Sequence, residues 1–164
     1  MRESDSTILI ARDVEQMRAI GAALAAALNS VGDSCVVIAL RGDLGAGKTT
    51  LVGGLLNAAG HRGPVRSPTY TLIEPYELAQ RSICHLDLYR LVDPAEVEGL
   101  GVRDLLTANS VLLIEWPEKG GDFIPSPDLE LDIDYRDSGR QLRVSPRSDV
   151  GRTLKDAFVA LAPL

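Results

Sequence analysis

Three glycines and a lysine stand close together in the stretch GDLGAGKTT, residues 42–50. Glycine loses more backbone freedom on folding than any other residue, so three in six positions indicate a specific structural need. The residues from Gly42 to Thr49 match the pattern G-x-x-x-x-G-K-[ST] at every fixed position. In that pattern, backbone N–H groups surround a phosphate, the lysine reaches the β- and γ-phosphates, and the Ser/Thr hydroxyl binds Mg²⁺. The sequence therefore predicts a phosphate-binding loop, with Lys48 and Thr49 in these two roles.

Two acidic residues follow apolar runs later in the chain and are candidates for a second contact to magnesium. Asp87 ends the run SICHLD, and Glu115 ends the run SVLLIE. Because parallel strands leave their carboxyl ends on one edge of a sheet, we expect both acids to lie near the loop. One acid would hold the metal and the other would orient an attacking water, and the spacing leaves open which does which. His85 fits a packed histidine of the strand better than a catalytic base.

Short apolar runs that alternate with helical patterns must position these residues. We expect strands at residues 6–11, 35–40, 82–87 and 110–115, and helices at residues 13–30, 48–59 and 150–161. The run TYTLIE predicts a strand that lies at an edge or stops at Pro75, and the alternation on both sides of RDSG predicts a hairpin. Gly99 and Gly101 divide residues 93–106 into two short helices. This order predicts an α/β fold, a three-layer P-loop NTPase-like architecture with a mostly parallel sheet and added antiparallel strands.

Helical spacing also predicts which side chains of the first helix face the core. These are Val14, Met17, Ile20, Leu24 and Leu28. On the second helix, Leu51, Leu55 and Leu56 share one face. The acidic stretch PEKGGD after Trp116 is expected to be solvated surface.

The composition limits the classes of partner. The 164 residues, 45% of them hydrophobic, suit a single P-loop domain over residues 1–164. The net charge of −6 argues against direct binding to DNA, to tRNA or to an anionic membrane, because each requires a basic face. Cys35 and Cys84 are too few and too far apart for a disulfide framework, and no apolar run is long enough to span a membrane. We therefore expect a cytoplasmic protein.

Four blocks in this order resemble the TsaE family of small bacterial P-loop ATPases. They are GDLGAGKTT, SPTYTLIEPY, HLDLYRLVDPAEVEGLGVRD and LLIEWPEKG. The resemblance runs from about residue 35 to residue 144 and is weaker at both ends. It implies a weak ATPase that supports synthesis of N6-threonylcarbamoyladenosine at position 37 of tRNAs reading ANN codons. It further implies that the protein acts through the TsaB and TsaD proteins, and therefore meets tRNA only indirectly.

The resemblance also implies roles for individual residues. ATP would lie on the loop, which contains Asp43, Leu44, Gly45, Ala46, Gly47, Lys48, Thr49 and Thr50. Thr49 and Glu115 would hold Mg²⁺, and Asp87 would be essential to hydrolysis. Thr69 belongs to a segment resembling a switch, Trp116 adjoins the site, and the turn around Gly139 and Arg140 approaches the nucleotide with the amino-terminal segment.

Two other functions agree with the same loop. A small-molecule kinase would need an acceptor pocket and an arginine-bearing lid, for which Arg81, Arg90 and Arg103 are candidates. A nucleotide-gated interaction protein would hydrolyse ATP only incidentally. A GTPase is disfavoured because the chain has no NKxD motif.

Overall fold

Seven strands form one sheet in the computed structural model, which describes residues 5–163. The strands are β1 (Thr7–Ala11), β2 (Val36–Arg41), β3 (Ile73–Glu77), β4 (Ser82–Asp87), β5 (Ser110–Glu115), β6 (Leu129–Arg136) and β7 (Gly139–Pro146). The α-helices are α1 (Val14–Ala27), α2 (Lys48–Ala58) and α3 (Asp149–Leu161). Short 3₁₀ helices span Leu28–Val31, Pro94–Leu100, Val102–Leu105 and Pro117–Phe123.

The middle of the sheet is parallel and its edges are antiparallel. The strand order is β1-β7-β6-β2-β5-β4-β3. Strands β6, β2, β5 and β4 run parallel, whereas β3 pairs antiparallel with β4, and β7 pairs antiparallel with both β6 and β1. The predicted mostly parallel sheet with antiparallel additions is confirmed. Pro75 lies inside β3, which is an edge strand, so its missing N–H costs no ladder hydrogen bond.

Each face of the sheet packs against a different layer. The first face buries side chains of α1, α2 and α3, including Leu24, Leu55 and Phe158. The second face, built from β2, β4 and β5, packs against the loops and 3₁₀ helices that contain Leu91, Val97 and Val102. The predicted three layers are present, and the third consists of short 3₁₀ turns, divided at Gly101, whose φ is 68°.

Helices α1 and α2 cross at two glycines. A Cβ atom added at Gly21 would lie 2.1 Å from the carbonyl oxygen of Leu51, and one at Gly54 would lie 2.2 Å from that of Arg18. Real Cβ atoms do not approach backbone oxygens so closely, because the two atoms would overlap, and the close-packed interior leaves little room to separate the helices. The pair of glycines therefore sets the distance between the helix that carries Lys48 and its neighbour.

Two expectations about exposure are wrong. Val14 is 54% exposed, because α1 begins at this residue and its side chain lines a cavity instead of the core. Residues Pro117–Phe123 form a 3₁₀ helix in which Pro117 and Gly120 are buried, so this segment is not solvated throughout. The apolar faces of Met17, Ile20 and Leu24, and of the leucines of α2, are buried as predicted. No helix within residues 5–163 has the length and apolar character required to cross a membrane.

Candidate functional site

The glycine loop joins β2 to α2 across the carboxyl end of the parallel strands. Gly45 and Gly47 have φ angles of 80° and 112°, a left-handed region that favours glycine. The first turn of α2 starts directly after Gly47, so its unpaired N–H groups and positive dipole end lie at the loop. A backbone of this shape can bind an anion such as a phosphate group.

Side chains of the β6–β7 hairpin hold the loop from outside. Arg140 donates from Nε to the carbonyl oxygen of Ala46 at 3.0 Å and from Nη2 to that of Gly45 at 3.2 Å. Tyr135 donates its hydroxyl to the carbonyl oxygen of Leu44 at 3.1 Å, and the Arg140 guanidinium lies 4.1 Å from the centroid of the Tyr135 ring. These bonds fix three successive carbonyl groups of the loop. The family resemblance points to Arg140 but not to Tyr135, whose contact with Leu44 depends on the folded hairpin.

Lys48 lies inside the loop with 5% of its surface exposed. Its ammonium group donates to the carbonyl oxygens of Gly42 and, at 3.1 Å, of Asp43, and lies 4.4 Å from the centroid of the Trp116 ring. Burial lowers the pKa of Lys48, and the nearby carboxylates of Glu115 and Asp87 oppose this change. The cation is therefore held among carbonyl groups and acids at the base of the loop.

Asp87 and Glu115 lie side by side at the ends of β4 and β5. The two residues are directly opposite in the parallel register, and each is nearly buried, with 4% and 2% exposed. Leu40, the penultimate residue of β2, is opposite Glu115, so Glu115 lies beside the strand that leads into the loop and Asp87 lies one strand further away. This register places both acids at the edge of the sheet where β2 leads into the loop.

Hydroxyl groups from the segment before β3 hold Asp87. Its Oδ2 accepts hydrogen bonds from Ser67 and, at 3.1 Å, from Thr69, while its Oδ1 accepts from the backbone N–H of Tyr89 at 3.0 Å. Ser67 also lies 3.4 Å from Oε2 of Glu115. Leu72 then turns the chain into β3 with a φ of 68°, which is unusual for a branched apolar residue. Thr69, identified from the sequence, thus contacts one of the two predicted acids.

Trp116 has a left-handed backbone conformation, with a φ of 57° directly after Glu115. This conformation is rare for a bulky residue and costs of order 1–3 kcal/mol, which the surrounding contacts must offset. Its indole packs against the ring of Tyr89, with centroids 5.1 Å apart, as well as against Lys48. The strained backbone places the indole beside the loop lysine.

Two adjoining cavities share the backbone of the loop. The first, about 270 Å³, is lined by Leu44, Gly45, Ala46, Gly47, Lys48, Thr49, Thr50, Ser67, Thr69, Asp87, Tyr89 and Glu115. The second, about 310 Å³, is lined by Ala11, Arg12, Asp13, Val14, Met17, Gly45, Ala46, Gly47, Thr50, Ser138, Gly139 and Arg140. One loop therefore separates a cavity with acids and hydroxyl groups from a cavity between α1 and the hairpin.

The first cavity collects most of the residues singled out from the sequence. Asp43 and Trp116 lie beside these walls, where the carbonyl group of one and the ring of the other contact Lys48. Arg140 lies in the second cavity with the loop. Tyr89 is not predicted from the sequence, because no motif marks its side chain. Arg81, a candidate for a kinase lid, instead donates to the carbonyl oxygens of Leu28 and Gly32, away from the loop.

The family model and the similar proteins all carry the name of the same family. A family model described as "Threonylcarbamoyl adenosine biosynthesis protein TsaE" matches residues 11–143. A Haemophilus influenzae protein named tRNA threonylcarbamoyladenosine biosynthesis protein TsaE is 46% identical over 126 residues, 77% of this chain and 80% of that protein. A Bacillus subtilis protein of the same name is 38% identical over 119 residues, 73% of this chain and 72% of that protein.

A solved structure shares the fold. The crystal structure of Bacillus subtilis YdiB matches with a TM-score of 0.77 at 23% identity, covering 94% of this chain and 95% of that chain. The family match spans the glycine loop, both acids and the arginine that holds the loop. On these grounds the chain belongs to the TsaE family.

Proposed function

We propose that this protein binds ATP with its phosphates on residues 42–50 and hydrolyses it slowly. The observation that carries the proposal is the first cavity, where the loop, Lys48, Thr49 and two buried acids share one wall. Backbone N–H groups of the loop bind the phosphate oxygens, and Lys48 moves from the loop carbonyls to the β- and γ-phosphates. The second cavity, bounded by α1 and the hairpin, then receives the nucleoside.

Magnesium fits the oxygen donors of this wall. Thr49 offers a hydroxyl, and Asp87 and Glu115 offer carboxylates, the hard ligands that Mg²⁺ prefers. Within residues 5–163 no group of three or more His, Cys, Asp or Glu side chains could hold a metal alone, which suits an ion that takes its remaining ligands from phosphates and water. When bound, Mg²⁺ neutralises negative charge on the β- and γ-phosphate oxygens.

Hydrolysis requires a water aligned with the γ-phosphate. Its oxygen bonds to the γ-phosphorus while the bond to the β–γ bridging oxygen breaks, so ADP and inorganic phosphate leave. Asp87, fixed by Ser67, Thr69 and the N–H of Tyr89, is positioned to accept a hydrogen bond from this water. Glu115 then holds the metal. Turnover by the isolated chain is slow, because no arginine finger is directed at the γ-phosphate position within residues 5–163.

The biological role that we propose is support of tRNA threonylcarbamoyladenosine synthesis. The relatives are named for this biosynthesis, and the chain's net charge of −6 disfavours direct contact with a phosphate backbone. We therefore propose that the protein acts through TsaB and TsaD, using ATP turnover to reset that complex.

Calorimetry with Mg-ATP tests the binding step. We expect heat from the wild type, none from Lys48→Ala, and a change in Trp116 fluorescence, since the indole contacts Lys48. Absence of heat with the wild type, using ATP and its non-hydrolysable analogues, would exclude the proposal.

Reconstitution tests the role. TsaB, TsaD and tRNA are incubated with the wild type, with Lys48→Ala or with buffer, and the modified nucleoside is quantified. Modification that continues at the wild-type rate with Lys48→Ala would contradict the need for ATP. Phosphorylation of a small molecule in the same mixtures would instead favour a kinase.

A further inference from the structure

His85 is a fully buried polar residue that the proposed chemistry does not use. It lies on β4 two residues before Asp87, is 0% exposed, and its Nε2 is 2.6 Å from Oε2 of Glu115. Its other ring nitrogen, Nδ1, is buried without a hydrogen-bond partner among residues 5–163. One ring nitrogen of His85 therefore has a hydrogen-bond partner among these residues, and the other has none.

This asymmetry selects one tautomer. A neutral imidazole has one donor nitrogen and one acceptor nitrogen. With the proton on Nδ1, a buried N–H would have no acceptor and the lone pair of Nε2 would face the Glu115 carboxylate. With the proton on Nε2, that N–H donates to Glu115 and only the Nδ1 lone pair is unpaired. The second arrangement is favoured, because an unmade bond to a charged acceptor is the more costly loss.

The bond distinguishes the two oxygens of Glu115. Oε2 is held by His85 and approached by Ser67 at 3.4 Å, whereas Oε1 accepts no hydrogen bond from residues 5–163. Glu115 lines the first cavity. Oε1 is thus the Glu115 oxygen that remains available to a ligand, and the bond from His85 to Oε2 restrains the orientation of the carboxylate.

We propose that His85 is a positioning residue that orients Glu115 toward the metal in the first cavity through its Nε2–H. The inference rests on the proposed Mg-ATP function. A hydrogen bond from behind a metal-binding side chain fixes its orientation, and removal of such a bond typically lowers metal affinity or activity about 10- to 100-fold.

The tautomer is tested first, in the nucleotide-free protein. The chain contains two histidines, His61 and His85, so in His61→Gln every histidine ring ¹⁵N signal comes from Nδ1 or Nε2 of His85. NMR of this variant at neutral pH is expected to show a protonated, slowly exchanging Nε2 and an unprotonated Nδ1. The added substitution Glu115→Ala should abolish the slow exchange. A proton on Nδ1 with none on Nε2 would overturn the proposal, and this readout requires neither magnesium nor ATP.

Two substitutions then separate positioning from packing. His85→Gln places an amide N–H near the site of Nε2, whereas His85→Leu fills the space and donates nothing. ATP hydrolysis is measured as a function of Mg²⁺ concentration. For His85→Leu we expect either the Mg²⁺ concentration for half-maximal hydrolysis to rise about 10- to 100-fold, or the hydrolysis rate to fall by about that factor. We expect His85→Gln to stay within a few-fold of the wild type, and both variants to bind ATP equally in EDTA.

The outcomes distinguish this inference from the function on which it rests. A wild type without Mg²⁺-dependent ATP binding contradicts the proposed function and the positioning role together. A wild type that binds, together with a His85→Leu variant of unchanged Mg²⁺ requirement, overturns the positioning role alone. Thermal unfolding of each variant reports whether it folds, and if His85→Leu does not, the NMR measurement and His85→Gln still decide.

Discussion

Asp87 is the residue whose surroundings are most completely defined. Both carboxylate oxygens accept hydrogen bonds, from two hydroxyls and one backbone N–H, and the side chain is nearly buried. An acid held this way has one orientation toward the cavity, which is the requirement for aligning a water.

Asp87→Asn should therefore separate binding from hydrolysis. Because the asparagine amide keeps the size of the aspartate side chain, we expect nucleotide affinity within a few-fold of the wild type. The amide has only one acceptor oxygen, so it cannot replace both oxygens of the Asp87 carboxylate. Removing a general base or water-orienting group costs about 10²–10⁴ in rate, and we expect a loss of that order in single-turnover phosphate release. Asp33→Asn, at an exposed position before β2, is the matched control. Hydrolysis by Asp87→Asn at the wild-type rate would remove Asp87 from the reaction.

The sequence predicts the residues of this site whose chemical type the proposed hydrolysis of Mg-ATP demands. Lys48, Thr49, Asp87 and Glu115 are identified because phosphate and magnesium require them at strand and loop ends. Tyr135 and Tyr89 are not, because each is defined by a contact that only the folded sheet creates. His85 is predicted as a packed residue and is one, yet its bond to Glu115 depends on the β4–β5 register.

At the scale of elements, the crossing of α1 and α2 sets the position of the loop helix. The contact is made at glycines, so the two backbones lie closer than side chains would permit. Helix propensity alone would place alanine at both sites, since glycine is the less favourable residue within a helix. Packing overrides propensity here.

Gly54→Ala and its neighbour Gly53→Ala test this contact as a matched pair. An added Cβ at Gly54 meets the Arg18 backbone at 2.2 Å, whereas at Gly53 the nearest atom is a Val65 carbon at 3.8 Å. We expect Gly54→Ala to lower the free energy of unfolding by about 1–3 kcal/mol or more, as for an overpacked core. Gly53→Ala should raise it by roughly 0.5–1 kcal/mol through helix propensity. Urea unfolding measures both, and equal effects would show that the helices can separate without cost.

The sequence predicts the boundaries of helices and strands well where a binding motif or a turn sequence with glycine lies at the boundary. Helix α2 begins at Lys48 and the hairpin turns at RDSG, as expected from the loop motif and the alternation. The 3₁₀ helix Pro117–Phe123 was missed, because its burial comes from the second face of the sheet rather than from its own polar sequence.

At the scale of the whole molecule, the parallel strands β2, β4 and β5 bring distant sequence to one edge. Residues near positions 48, 87 and 115 meet there because the crossovers return each strand in the same direction. The predicted fold class already implied this convergence. The pairing of β1 with β7 could not be predicted, since nothing in either strand specifies its partner.

Ligand linkage gives a test at this scale. If Mg-ATP binds only the folded chain, a concentration of 100 times Kd adds about 2.7 kcal/mol of stability, or roughly 5–10 °C in Tm for a domain of this size. Differential scanning fluorimetry with Mg-ATP, ATP with EDTA, and Mg-GTP measures the shift. We expect Mg-ATP to raise Tm the most, ATP with EDTA to raise it less, and Mg-GTP to raise it the least. A larger Tm shift with Mg-GTP than with Mg-ATP would indicate that the protein binds guanine instead of adenine.

The hold of the hairpin on the loop has a consequence for synthesis of the protein. The side chains that fix the carbonyl groups of Leu44, Gly45 and Ala46 are translated more than 90 residues after them. A nascent chain that has emerged from the ribosome only as far as β5 carries the whole loop motif without the groups that hold its shape. During synthesis, the loop therefore acquires these three hydrogen bonds only after the β6–β7 hairpin has followed it out of the ribosome.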